Sequence, residues 1–122
     1  MRGLNFNLEP DEAKYKVFLN SIDFKIDKDF IEFYKNHNGA EGYLNSGSYI
    51  NLWNIDDMLA LNPYYDYVEK CENIYFFGTN GSNLGLAFDK KSGGIISIDF
   101  LEISIVEPNF ISNKFIDFIN HY

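Results

Sequence analysis

Ile74-Tyr75-Phe76-Phe77-Gly78-Thr79-Asn80-Gly81-Ser82-Asn83-Leu84-Gly85-Leu86-Ala87-Phe88-Asp89, then Lys90-Lys91-Ser92-Gly93-Gly94 and Ile95-Ile96-Ser97-Ile98-Asp99, reads as strand, turn, strand, turn, strand. Two apolar runs, Ile74 to Phe77 and Leu84 to Phe88, flank Asn80-Gly81, a strong hairpin signal because the reversal needs positive φ. The spacing permits a turn wider than two residues, so a hairpin is expected without a fixed turn type. Ser92-Gly93-Gly94 makes the second reversal. Consecutive strands joined this tightly pair antiparallel.

The flanking sequence is helical. Pro10 suits a first helical position, with Asp11 and Glu12 favourable in the first turn. Tyr15, Phe18, Leu19 and Ile22 then recur as one apolar stripe, predicting a helix near 11–21. Asp27 is a candidate N-cap for a second helix near 28–37, with Ile26 and Ile31 as a hydrophobic staple. Phe30, Phe33 and Tyr34 form its buried face, and Gly39 fits a left-handed position just past its end.

Short strands are expected near 41–45 and 48–53. Trp53 precedes Asn54, a good N-cap, and Met58 stands where a staple partner belongs, so a third helix is expected over 55–62, stopped by Pro63. Residues 62 to 72 read as irregular. The hairpin strands follow near 73–78, 84–89 and 94–99, Glu102 to Val106 is a further candidate ended by Pro108, and Ser112 caps a last helix near 113–120, with Ile111 and Ile116 as its staple. The expected fold is α+β, a mainly antiparallel sheet of about five to six strands with helices from both chain ends packed on it.

At 122 residues the chain is read as one domain over 1–122. Ten Lys and Arg against 18 Asp and Glu give a net charge of −8, which repels phosphate backbones and favours a basic partner over nucleic acid. Twelve Phe and nine Tyr are too many for a disordered acidic tail. Cys71, the single cysteine, excludes an internal disulfide and a cysteine-based zinc cluster. Met1 to Asn7 has no signal-peptide core, and no run reaches the ~20 apolar residues of a membrane span. The expectation is a cytoplasmic protein with no membrane partner.

The order of these motifs resembles the SUKH superfamily of bacterial immunity proteins, the Smi–Knr domain family, from about Tyr15 to Ile119. The resemblance rests on the helix ending in Asn38-Gly39, Trp53-Asn54-Ile55 before a short helix, and Phe77-Gly78-Thr79-Asn80-Gly81. Leu84 to Asp89 and the closing Phe115-Ile116-Asp117-Phe118-Ile119 complete it. Where family members usually carry Leu-Pro before the second helix, Ile26-Asp27 stands here. The resemblance implies a non-catalytic protein that binds and neutralises a cognate toxin, one plausible class being a basic nuclease. A general protein- or peptide-binding adaptor without a toxin partner is the alternative, and an undetected hydrolase is a distant third.

The residues themselves argue against catalysis. His37 and His121 are the only histidines, one in a helical last turn and one in the terminal tail, and neither stands in a metal-ligand pattern. Asp89-Lys90-Lys91-Ser92-Gly93 lacks the alternating acids of a calcium loop. Gly78-x-x-Gly81-x-x-x-Gly85 leads into a strand, not a helix, so these glycines serve turn geometry and close packing rather than a phosphate. No cofactor, metal or catalytic residue is assigned.

The best candidate for a partner surface is Trp53, Asp56, Asp57, Tyr64, Tyr65, Asp66 and Glu69: acids in a helical first turn, then tyrosines and acids on a loop opened by Pro63. Tyrosines beside acids suit desolvated anchors with a charged rim. The competing structural readings are a staple for Trp53, dipole complementation for Asp56 and Asp57, and coverage of the sheet edge for the tyrosines.

Overall fold

The computed structural model describes residues 3–65, 73–102 and 107–122. In chain order the elements are β1 (Leu4–Phe6), α1 (Glu12–Ser21), α2 (Lys28–Asn36), β2 (Ala40–Tyr43), β3 (Tyr49–Leu52), α3 (Ile55–Tyr65), β4 (Ile74–Thr79), β5 (Leu84–Asp89), β6 (Ile95–Asp99), β7 (Asn109–Ser112) and α4 (Phe115–His121). The seven strands form one sheet in the order β1-β2-β3-β4-β5-β6-β7, every neighbouring pair antiparallel. The α+β class and the central hairpins follow the sequence reading.

The seven strands among the described residues exceed the five to six expected, and two of them, β1 and β7, lie where none was placed. β1 is three residues long, too short to alternate visibly, and exists because β2 offers it a partner. β7 lies beyond Pro108 rather than before it. Of the candidate strand 102–106, Glu102 ends a short 3-10 turn (Phe100–Glu102) and the rest lies outside the described residues. A strand thus precedes the first helix, so only the C-terminal end is helical.

The β4–β5 hairpin turns through residues 80 to 83. Asn80 N–H donates to Leu84 O at 3.1 Å, the Asn80 Oδ1 accepts from Ser82 N–H at 2.9 Å, and Gly81 has φ +83°. Gly85 answers to packing: a Cβ there would stand 2.6 Å from Phe100 Cζ and 2.7 Å from Phe76 Cε1.

Strand alternation sorts the apolar residues onto two faces. Tyr75, Phe77, Leu86, Phe88 and Ile95 turn to the helices and join Phe18, Phe30, Tyr34, Ile55, Met58, Phe115 and Phe118 in the main core. Phe30 is its hub: it meets Tyr34, Phe77, Phe88 and Phe115 at ring-centroid distances of 4.7, 5.3, 4.9 and 5.2 Å. Ile74, Phe76, Ala87, Ile96 and Ile98 form a smaller cluster on the second face, flanked by Trp53, Tyr65 and Phe100.

Asp27 caps α2 as expected, accepting from Asp29 N–H at 2.9 Å through Oδ1. Its Oδ2 also accepts from Phe115 N–H at 2.7 Å, the first residue of α4. Ser112 does not cap that helix; Lys114 holds the N-cap position without a side-chain bond, and the Ser112 hydroxyl donates to Lys114 O. Ile116 is accordingly 48% exposed rather than stapled. One carboxylate therefore ties two helix N-termini separated by most of the chain. Asp27→Ala should lower stability by about 2–3 kcal/mol, above the ~1 kcal/mol usual for one cap, whereas Asp29→Ala should stay within about 1 kcal/mol. Urea unfolding of the two variants checks this.

Two further expectations change. α2 closes at His37 in extended conformation, so Gly39, with φ +95°, serves the start of β2 rather than the helix end. α3 does not stop at Pro63 but continues through it to Tyr65.

Candidate partner-binding surface

α3 owes its position to a gap in the sheet. β3 pairs with β4 at only two registers, Asn51↔Thr79 and Leu52↔Gly78, and then diverges, with Trp53 N–H donating to Phe77 O at 2.9 Å. A bulge at Phe77 accompanies the departure. The next backbone groups of β4, on Phe76, would face nothing, and α3 fills the place. Its Asn62, 7% exposed, accepts from Phe76 N–H at 2.7 Å and donates to Phe76 O at 2.9 Å. A single carboxamide thus stands in for a strand residue. The same Nδ2 donates to Met58 O at 3.0 Å, satisfying a carbonyl one turn back in α3.

The start of α3 is capped twice. Asn54 Oδ1 accepts from Asp57 N–H at 2.8 Å, as the sequence indicated, and Asn38 Oδ1 accepts from Ile55 N–H at 2.7 Å. Met58 is fully buried in the main core, while Trp53 is half-buried and straddles both clusters, its ring 6.5 Å from that of Phe76. Trp53 O accepts from the buried Tyr34 hydroxyl at 2.6 Å, and burial holds that phenol well above its ordinary pKa.

The structure separates the residues named from the sequence. Asp57, Leu61 and Tyr64 lie four and three residues apart along one stripe of α3, and Tyr65 borders it. Asp57 is exposed, Leu61 is 36% exposed and Tyr64 is 67% exposed. Asp56 lies a hundred degrees round the helix, facing α1, where it accepts from Lys14 Nζ at 2.7 Å with both side chains about half exposed. That bond raises the Lys14 pKa. Tyr65 is half-buried instead of projecting from a loop: its ring lies 4.7 Å from Phe76 and stacks on Phe100 at 5.6 Å, with Tyr64 edge-on at 5.2 Å. Asp66 and Glu69 lie outside the described residues.

The tyrosines therefore stand on a helix that runs through its proline, not on a loop. Leu61 is the member of the stripe that the sequence reading left out; its spacing from Asp57 and Tyr64 is the signal. Among the described residues, no group of three or more His, Cys, Asp or Glu side chains is placed to hold a metal ion. No described helix is long and apolar enough to cross a membrane.

Set against known protein families, residues 9–121 match the SMI1 / KNR4 family (SUKH-1). The chain belongs to that family. The match spans every helix and all strands except β1. No curated protein matches the sequence closely enough to be counted a relative. In this SUKH-1 chain β4 is the central strand of the sheet, and α3 is seated against it where β3 departs.

Proposed function

We propose that this SUKH-1 domain is an immunity protein of the cytoplasm, acting by occupancy and without chemistry of its own: it binds a cognate toxin protein and blocks it. The observation that carries this reading is the family match over residues 9–121. The −8 net charge agrees with a basic toxin, since charge complementarity speeds encounter and selects partners. The proposed contact surface is the α3 stripe with its borders: Trp53, Asp56, Asp57, Tyr64 and Tyr65, continued by Asp66 and Glu69 in the sequence. Tyr64 is a projecting aromatic and Asp57 an exposed acid on the same stripe, while Trp53 and Tyr65 contribute their exposed edges.

The test is binding to, and rescue of growth from, a toxin encoded beside this chain. Tyr64→Ala should weaken binding by about 2 kcal/mol or more while leaving the melting temperature nearly unchanged, because the side chain is mostly in water. Asp57→Lys should chiefly slow association and reduce its salt dependence. Tyr65→Ala is a less clean probe, because it also strips packing from Phe76 and Phe100. Wild-type binding by both Tyr64→Ala and Asp57→Lys would move the contact off α3. Capture of an ordinary cellular protein, with no protection from any neighbouring toxin, would favour an adaptor instead.

A further inference from the structure

β1 closes one side of the sheet. Its register on β2 is Leu4↔Gly42, Asn5↔Glu41 and Phe6↔Ala40. Tyr43 N–H donates to Gly3 O at 3.2 Å and Asn7 N–H to Gly39 O at 3.0 Å, so the odd-numbered residues turn their backbone groups toward β2. By antiparallel alternation, the N–H and C=O of Leu4 and Phe6 turn outward. An edge of this kind is a template for another strand.

The side chains of Leu4 and Phe6, two residues apart, fall on one face and meet α2 and α4. With Phe33, Ile116 and Ile119 they line a groove of about 360 Å³. Phe6 is 54% exposed and Ile116 48% exposed, so the groove offers apolar surface to solvent. Asp29 and Glu32, both exposed on α2, stand in its wall, and its described lining contains no Lys or Arg.

We infer that the outer edge of β1 is a second protein-binding site, which takes an extended segment of a basic partner. That segment adds to the sheet beside β1, sends apolar side chains into the Phe6–Ile116 groove and sets Lys or Arg against Asp29 and Glu32. Backbone pairing supplies affinity in this mode and the groove supplies selectivity. A second copy of the chain is the wrong occupant on charge: it would bring another net −8 and the same two acids to the contact. The α3 surface is a separate site, and this inference stands whatever binds there.

The probe is a fluorescent peptide in which valine and lysine take turns at every second position, with threonine between them, so that both side chains fall on the groove face; it is titrated into the full chain by anisotropy and by amide NMR. Its controls are a valine–glutamate counterpart and a lysine peptide with alternate backbone amides methylated. The lysine peptide should bind, shifting amides of Leu4 to Phe6 and of the facing turns of α2 and α4. The glutamate peptide should bind at least about tenfold more weakly, and the methylated one should not bind. Phe6→Pro removes an outward donor at a place where edge strands tolerate proline, and should weaken binding about tenfold or more. Glu32→Lys, on an exposed helix surface, should weaken the lysine peptide and strengthen the glutamate one; it keeps the test decisive should the proline variant not fold. Absence of binding, equal binding of the two charge types, survival of binding after methylation, or shifts confined to α3 would each overturn the proposal. So would a dimer of the chain that Phe6→Pro dissociates, which would assign the edge to a second copy.

Discussion

Asn62→Leu is expected to cost about 3–5 kcal/mol, several times a typical substitution, although the side chains are similar in size. The loss comes from what remains behind. Phe76 N–H and C=O and the Met58 carbonyl each lose their bond to the carboxamide at a site that is 7% exposed. A buried group left unpaired costs about 1–3 kcal/mol, against roughly 1 for an ordinary hydrogen bond lost. Asn62→Asp separates the two roles. Its carboxylate still accepts from Phe76 N–H but cannot donate to Phe76 O or Met58 O. Burial beside carbonyl oxygens raises a carboxyl pKa in the folded state. The variant's deficit should therefore be greatest at neutral pH and shrink as pH falls through that raised pKa, because the folded state then binds the extra proton. Urea unfolding of wild type and both variants at neutral and mildly acidic pH measures this. A loss below about 1 kcal/mol for Asn62→Leu would mean that water or a shifted backbone satisfies Phe76.

Phe30→Ala should be comparably severe, at about 3–5 kcal/mol, the usual range for truncating a buried phenylalanine. Phe30 is fully buried and its ring joins α1, α2, α4 and the sheet: Phe18 at 6.4 Å, Tyr34 at 4.7 Å, Phe77 at 5.3 Å, Phe88 at 4.9 Å and Phe115 at 5.2 Å. Three of these contacts are edge-to-face, the geometry in which aromatic pairs add to plain area burial. No single neighbour can collapse into a space walled by four elements, so the cavity should persist. Phe33→Ala, on the same helix but half-buried, should cost clearly less. Parallel thermal and urea unfolding of the two variants distinguishes a hub from a merely apolar helix face; equal losses would deny Phe30 that place.

The proposed partner surface keeps the residue types named from the sequence but not the geometry expected of them. Trp53, Asp57 and Tyr64 reach solvent in part or in full, but Asp56 is engaged by Lys14 and Tyr65 leans on Phe76 and Phe100. Pro63 is the local cause. Proline ordinarily interrupts a helix because it lacks an N–H and crowds the preceding turn. Here Asn62, the residue before it, is anchored to β4 through both backbone groups of Phe76, and the helix runs on for two residues past the proline. A loop of tyrosines becomes a helical stripe, with Leu61 inside it.

Local sequence determined whatever is enforced by short-range sterics and periodicity. The Asn80-Gly81 reversal, the strand alternation that divides Tyr75 and Phe77 from Phe76, the Asp27 and Asn54 caps, and the α+β class all follow from residues close together in the chain. The family was legible for the same reason, since its motifs are those turns and caps in order. Tertiary structure decided what depends on a distant partner. β1 forms only because Ala40 to Gly42 lies beside it; α4 starts at Phe115 because Asp27 reaches it across the fold; Asn62 is a strand surrogate only because β3 leaves β4 after Leu52. A three-residue strand, a borrowed cap and a side chain that mimics backbone carry no periodicity of their own, because their energy lies in hydrogen bonds closed over long separations in sequence.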